Sequence, residues 1–270
     1  MYAFEIERPQ SLDAAIAALG REDAQPLSGG QTLIPTLKQR LASPSVLVSL
    51  KGIPELARVE RGGDGTIRLG GAVTHAEAAR ELASDYPALA SLAARIGDPA
   101  VRNRGTVGGS LANDDPSACW PAGALASAGA IHAHGPGGAR EIPVDDFFLG
   151  MFTTALEEGE IVSGLTVRVP RRACYMKFIQ PASRFPLVAV FAAEHADGQA
   201  RVAVTGASSD GVFRWREAEE RLEGRFEPGA LEGLEPPPAD GMISDLHGTG
   251  AYRAHLVAVM TRRAVAEARA

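Results

Sequence analysis

At the start of the chain Tyr2, Phe4 and Ile6 alternate with Ala3, Glu5 and Glu7, the period of a strand, and Pro9 halts the pattern. Ser11 then stands where a helix N-cap belongs, ahead of LDAAIAAL. A loop through Pro26 leads into LSGGQTLIPTLKQRL, where Leu33, Leu37 and Leu41 recur every four residues and predict a second helix whose first turn tolerates Pro35. SVLVSL, residues 45–50, predicts a compact strand. Residues 1–52 therefore predict a small β-α-β unit with a glycine pair just ahead of its second helix.

From Ile53 the texture changes. A hairpin turn at RVERGGDG precedes the strand TIRLGGAV, and Thr74 with Glu77 makes a capping box for HAEAAREL. PALASLAARIG is a further apolar helix. The stretch 98–123, DPAVRNRGTVGGSLANDDPSACWPAG, has no period and is expected to be irregular; AIHAHGPGGAREIP then predicts two strands about a glycine turn, and IVSGLTVRVP an extended segment. A second unit, 53–172, ends there. The remainder, 173–270, predicts strands around Asp197 and Gly198, then helices at FRWREAEERLEG and YRAHLVAVMTRRAVAEA, the last with Leu256, Met260 and Val265 on one stripe. Strands first and helices second make an α+β unit. The proline-rich 228–241 between these helices is a loop, because too little chain follows it for an independent core.

Composition narrows the function. The 270 residues are 45% hydrophobic and 22% charged, close to globular averages. A net charge of −6 gives no bulk attraction to polyanions, so nucleic acid is a poor partner. Only Cys119 and Cys174 occur, too few thiolates for an ordinary iron–sulfur cluster or a cysteine-rich zinc site, so any such centre belongs to a partner. The N-terminus lacks a targeting pattern, and the apolar runs at 122–131 and 187–193 fall short of the about 20 residues that span a bilayer. The chain reads as cytoplasmic, with no transmembrane segment.

Two glycine turns carry the candidate chemistry. In Ser28-Gly29-Gly30-Gln31-Thr32-Leu33, adjacent glycines allow a phosphate to approach the backbone; the same sequence also suits a plain strand-to-helix turn. Arg102-Asn103-Arg104-Gly105-Thr106-Val107-Gly108-Gly109-Ser110, followed by Asn113-Asp114-Asp115-Pro116, concentrates donors that could surround a diphosphate, with a carboxylate placed to accept from sugar hydroxyls. Arg102 and Arg104 could instead be solvated or hold nearby carboxylates. Neither turn is GxxxxGK[ST] or GxGxxG. A ligand as long as FAD could touch both.

SGGQTLIP together with IGDPAVRNRGTVGGSLANDDP resembles the FAD-binding medium subunit of molybdenum hydroxylases, the carbon monoxide dehydrogenase and xanthine dehydrogenase family, and the likeness continues through YMKFIQPASRFPLVAVF to YRAHLVAVMTRRAV. The resemblance implies a two-subdomain vanillyl-alcohol-oxidase-like (PCMH-type) FAD-binding fold followed by a C-terminal α+β domain. It implies that Gly29, Gly30, Gln31, Thr32 and Leu33 form the first diphosphate loop and Thr106, Gly108 and Gly109, with Ser110 beside them, the second. By the same resemblance Asp115 engages the flavin's polar linker and Lys177 is the basic residue near the flavin. Ser28, Thr32 and Asn113 stand where many relatives have Ala, Ser and His. The implied partners are a molybdopterin-containing large subunit that oxidises substrate and a [2Fe-2S] small subunit. Together they form a dimer of heterotrimers that passes electrons through this chain to an external acceptor.

Several residues keep two readings. Phe185 in SRFPLV could stack on the isoalloxazine or pack beside an apolar strand, and Tyr175 is equally ambiguous. His132 and His134 could share a strand face, but without a nearby carboxylate they do not establish a metal site; Cys119 beside Trp120 fits packing better than nucleophilic catalysis. No catalytic group is assigned in this chain. A free-standing FAD-dependent oxidoreductase and a non-enzymatic flavin-binding assembly module stand as alternatives.

Overall fold

Ser11 both follows the first strand and caps the first helix, its Oγ accepting from the Ala14 amide at 3.3 Å. In the computed structural model, which describes residues 1–268, the chain begins with β1 (Glu5–Glu7), α1 (Leu12–Leu19), β2 (Ala24–Leu27), α2 (Leu33–Lys38) and β3 (Val46–Ser49). β3 lies between β1 and β2 and runs parallel to both. Two expectations need correction. The segment through Pro26 is an edge strand rather than a loop, a position where the missing proline amide breaks no interior ladder. The second helix stops at Lys38: Arg40 is left-handed (φ 61°), and Leu41, expected on the helix stripe, is 74% exposed.

The chain continues with the hairpin β4 (Val59–Arg61) and β5 (Thr66–Gly70), then α3 (His75–Glu81), α4 (Pro87–Ala94), α5 (Pro99–Arg102), α6 (Val107–Asn113) and α7 (Trp120–Ala126). Next come β6 (Ala130–Gly135), β7 (Gly138–Pro143), α8 (Val144–Phe147), the ribbon β8 (Phe148–Gly150) and β9 (Thr153–Thr154), and β10 (Ile161–Arg168). The expected Thr74–Glu77 capping box opens α3. An antiparallel sheet in the order β4-β5-β10-β6-β7 forms, with Leu69, Ile131 and Leu165 packed under α3, α4 and α7. The stretch 98–123 is not irregular: it holds α5, α6 and α7. All seven residues of α7 are buried, so no polar face marks its period, and the other two are too short to show one. Their signals are caps, Asp98 accepting from the Val101 amide and Thr106 from that of Gly109.

The C-terminal part is the meander β11 (Arg172–Ile179), β12 (Pro186–Glu194), β13 (Ala200–Ser208) and β14 (Gly211–Arg214), followed by α9 (Arg216–Leu222) and α10 (Gly250–Glu267). Phe213 and Arg214, expected at a helix start, are strand. β12 is buried on both faces: Ala189, Phe191 and Ala193 join the core of the preceding sheet, while Val188, Val190 and Ala192 pack under α9 and α10 with Leu256, Val257 and Met260. That is why 187–193 reads as an unbroken apolar run. The fold is α+β. A third apolar cluster, Ala15, Val46 and Val48, takes in Ile53, Leu56 and Ile161. Residues 269–270 of the expected third unit lie outside the described residues.

Polar contacts lock the meander onto the rest. Arg201 donates to the Leu125 carbonyl at 2.8 Å and with Arg214 holds Asp145. Thr205 Oγ1 donates to the carbonyls of Pro116 and Ala118, and the Gly206 amide to Pro116. Glu219, buried on α9, accepts from the Val202 amide at 2.9 Å and from two guanidinium nitrogens of Arg214 at 2.8 Å. Glu219→Ala therefore leaves a strand amide without its acceptor and the Arg214 guanidinium with Asp145 alone, and should cost about 3–5 kcal/mol. Glu219→Gln, which keeps one acceptor oxygen, should lose less; urea denaturation of the two variants measures the difference.

Candidate functional site

The first glycine turn joins β2 to α2. Gly30 is left-handed (φ 70°), and its carbonyl accepts from the Ile34 amide at 3.2 Å, which starts the helix. The second turn joins α5 to α6, where Thr106 Oγ1 accepts from the Gly109 amide at 3.1 Å. The turns touch. A Cβ on Gly29 would lie 2.2 Å from the Arg104 carbonyl oxygen, so only glycine permits this approach. Beside that contact, the hydroxyls of Ser28 and Thr106 share a hydrogen bond of 2.7 Å.

The second turn is also strung along the β5–α3 connection. The Gly108 amide donates to Gly71, the Val107 amide to Val73, and the His75 amide to the Gly105 carbonyl. A Cβ on Gly108 would meet the Gly71 oxygen at 2.7 Å, and one on Gly109 would meet Thr106 Oγ1 at 2.9 Å. Backbone thus packs on backbone around an open space.

That space is a cleft of about 750 Å³, within the range of small-molecule and cofactor sites. Gly29, Gly30, Gln31, Thr32, Leu33, Thr106, Gly108, Gly109, Ser110, Asp115 and Lys177 all line it. Asp115 accepts from the Ser117 amide at 2.8 Å. Lys177, brought in by β11, is buried; its Nζ donates to the Arg95 carbonyl at 3.0 Å, and burial pushes the ammonium below its usual range. Phe185 also lines the cleft and is 54% exposed on the β11–β12 hairpin, so it is not a core residue. Tyr175 is buried against Phe191, and burial pushes its phenol well up.

Ser28, the first residue of the first glycine turn, lines the wall as well, and so does Cys119, which the sequence reads as packing. His75 lines it too; its Nδ1 accepts from the Trp120 indole at 3.0 Å, and burial, with Arg102 nearby, pushes it down to about 4. Arg102, half-buried, donates to the carbonyls of Ile96 and Gly97 rather than to a carboxylate. His132 and His134 do share the outer sheet face. His132 bonds Thr166 Oγ1 at 2.7 Å; Glu141 lies 3.8 Å from His132 and Asp13 3.6 Å from His134, and both histidines and Glu141 line a separate depression.

Residues 2–172 match the family model described as the FAD binding domain in molybdopterin dehydrogenase. The chain is 34% identical to the nicotine 6-hydroxylase medium subunit of Paenarthrobacter nicotinovorans, over 98% of this chain and 97% of that one. It is 31% identical to the carbon monoxide dehydrogenase medium chain of Afipia carboxidovorans, over 99% and 97%. Among solved structures it resembles a chain of the reconstituted CO dehydrogenase from Oligotropha carboxidovorans, with a TM-score of 0.87 and 31% identity over 98% of this chain and 96% of that one. No helix among the described residues is long and apolar enough to cross a membrane.

One buried group beside the cleft sets a pH dependence. Asp114, left-handed at the end of α6 (φ 41°), is buried with no hydrogen-bond partner for either carboxylate oxygen among the described residues; burial, then Asp115, pushes it up to about 7. In the unfolded chain the group ionises near 3.8, whereas the folded chain holds its proton to about 7. Unfolding thus releases a proton between these values, and stability should fall as pH rises through that window. Asp114→Asn, which tolerates the left-handed backbone, should abolish this slope and at pH 8 gain ~2 kcal/mol over wild type. Thermal unfolding at pH 5 and pH 8 checks it; equal slopes in both proteins would refute the assignment.

Proposed function

Because the chain belongs to the family of FAD-binding domains of molybdopterin dehydrogenases, we propose that its cleft holds FAD between the two glycine turns and that it relays electrons within a molybdenum hydroxylase. It is an FAD-binding subunit of that class of oxidoreductase. One observation carries the placement: the eleven residues of the two turns, the carboxylate and the lysine, drawn from positions 29 to 177, line a single cleft. The donor set fits the cofactor. Glycines 29 and 108 let the turns pack backbone against backbone, and Gly109 packs on Thr106, so both turns bring main chain without a side chain at these positions to the cleft wall, where amides suit a diphosphate. Asp115 offers an acceptor to the hydroxyls of the flavin's linker; Lys177 and Phe185 belong at the ring.

When bound, FAD accepts electrons singly or in pairs and so joins one-electron donors to two-electron acceptors. This chain's own residues hold and orient it. The two cysteines supply no cluster, so the donors belong to a [2Fe-2S] small subunit, and substrate is oxidised in a molybdopterin-containing large subunit. The relatives' description as medium subunits supports this division. The proposed assembly is a cytoplasmic dimer of heterotrimers that delivers electrons to an external acceptor. Units 1–52 and 53–172 form the grip and 173–270 the cover.

FAD should be held without a covalent bond, and acid precipitation should release it into the supernatant. Gly109→Val crowds Thr106 Oγ1 and should weaken FAD binding by about 10- to 100-fold, the range of an overpacked contact. Asp115→Ala removes one acceptor and should cost about fivefold. FAD titration with circular dichroism as the folding control measures both, and wild-type affinity in both folded variants refutes the placement. The relay has its own test: reconstituted with the genomically adjacent partner subunits, bound FAD should be reduced when the partners' metal centres are reduced. Failure with intact, reduced centres rejects the electron route.

A further inference from the structure

The deep wall of the cleft holds a pair outside the reading above. Lys177 Nζ donates to Cys119 Sγ at 3.6 Å as well as to the Arg95 carbonyl, and the lysine and cysteine are 6% and 5% exposed. Both line the cleft. No carboxylate among the described residues pairs with this ammonium; the one cation in its surroundings, Arg95, lies over the Tyr175 ring and donates to the carbonyls of Tyr175 and Lys177. A buried ammonium has three donors to satisfy, and here two protein acceptors converge on it from different elements, the end of α4 and the residue before α7. With the Arg95 carbonyl on one side, the Cys119 sulfur is the second contact that fixes the direction of Nζ.

We propose that Cys119 is a positioning residue: its sulfur holds the Lys177 ammonium at the cleft wall, and through that cation it sets the reduction potential of the bound FAD. The inference rests on the placement of FAD in this cleft. A fixed positive charge beside the ring stabilises the electron-rich reduced cofactor, and the effect grows in a cleft shielded from water. Burial lowers the proton affinity of Lys177, and the neighbouring sulfur works against that loss, so the contact also helps keep the charge in place.

The test is the midpoint potential of FAD bound to wild type, Cys119→Ala, Cys119→Ser, Lys177→Met and the double variant Cys119→Ala/Lys177→Met, with thermal unfolding as the control for folding. Cys119→Ala should make reduction at least tenfold less favourable, ~30 mV for a two-electron couple. Cys119→Ser, which keeps an acceptor, should restore most of that. Lys177→Met should lower the potential at least as far, and Cys119→Ala should add nothing in its background. If Lys177→Met shifts the potential and Cys119→Ala does not, or if the cysteine's effect persists undiminished without the lysine, the positioning role is overturned. If Lys177→Met leaves the potential and the flavin spectrum unchanged, the placement of FAD against this wall fails and the inference falls with it.

Discussion

Between Gly29 and the carbonyl of Arg104 there is no room for a methyl group. This backbone contact, with the Ser28–Thr106 hydrogen bond beside it, brings together two turns separated by more than seventy residues of sequence. Everything else in the cleft is arranged around the contact. Thr106 caps α6, whose second and third residues are the glycines of the second turn, and the β5–α3 connection presents Gly71 as the floor under Gly108. Hydroxyls and carbonyls, not side-chain charge, hold the turns in register.

The C-terminal meander completes the cleft from the opposite side, and it can do so because β12 belongs to two cores at once. One face anchors α9 and α10; the other is part of the core that supports the second glycine turn. Lys177 therefore reaches the cleft from a strand whose position is set by Phe191 and Val190 on opposite faces of its neighbour. The Thr205 bonds to Pro116 and Ala118 tie that sheet to the residues directly after Asp115, so the carboxylate and the lysine share one scaffold.

Elements with a clean period were legible: α1 behind Ser11, α3 behind its capping box, and the hairpins at 59–70 and 130–143. Helices α5 to α7 were not, because α5 and α6 are about one to two turns long and α7 is buried all round, and neither condition leaves an amphipathic trace. Pro26 and Leu41 misled for a shared reason, a local preference settled by tertiary context: an edge position accepts the proline, and a left-handed Arg40 ends the helix before the leucine. Within the cleft, the residues of the two glycine motifs, Ser28 among them, could be named from sequence. His75 and Cys119 could not, since each reaches the wall beside a partner distant in the chain: Trp120 and Lys177.

The Ser28–Thr106 contact also bears on how the empty subunit comes apart. Much of the cleft is lined by the stretches 25–36, 96–119 and 177–185, and one pair of hydroxyls bridges the first two directly by their side chains. Any opening that parts these stretches must release whatever spans them, so a ligand bound across the cleft raises the free energy of that opening by RT ln(1 + [L]/Kd), about 2.7 kcal/mol at a hundredfold excess over Kd. The small polar bridge that aligns the turns is thereby reinforced by any ligand that spans them. In a protease's view the cofactor is a staple, and the half-life of the subunit becomes a readout of its loading.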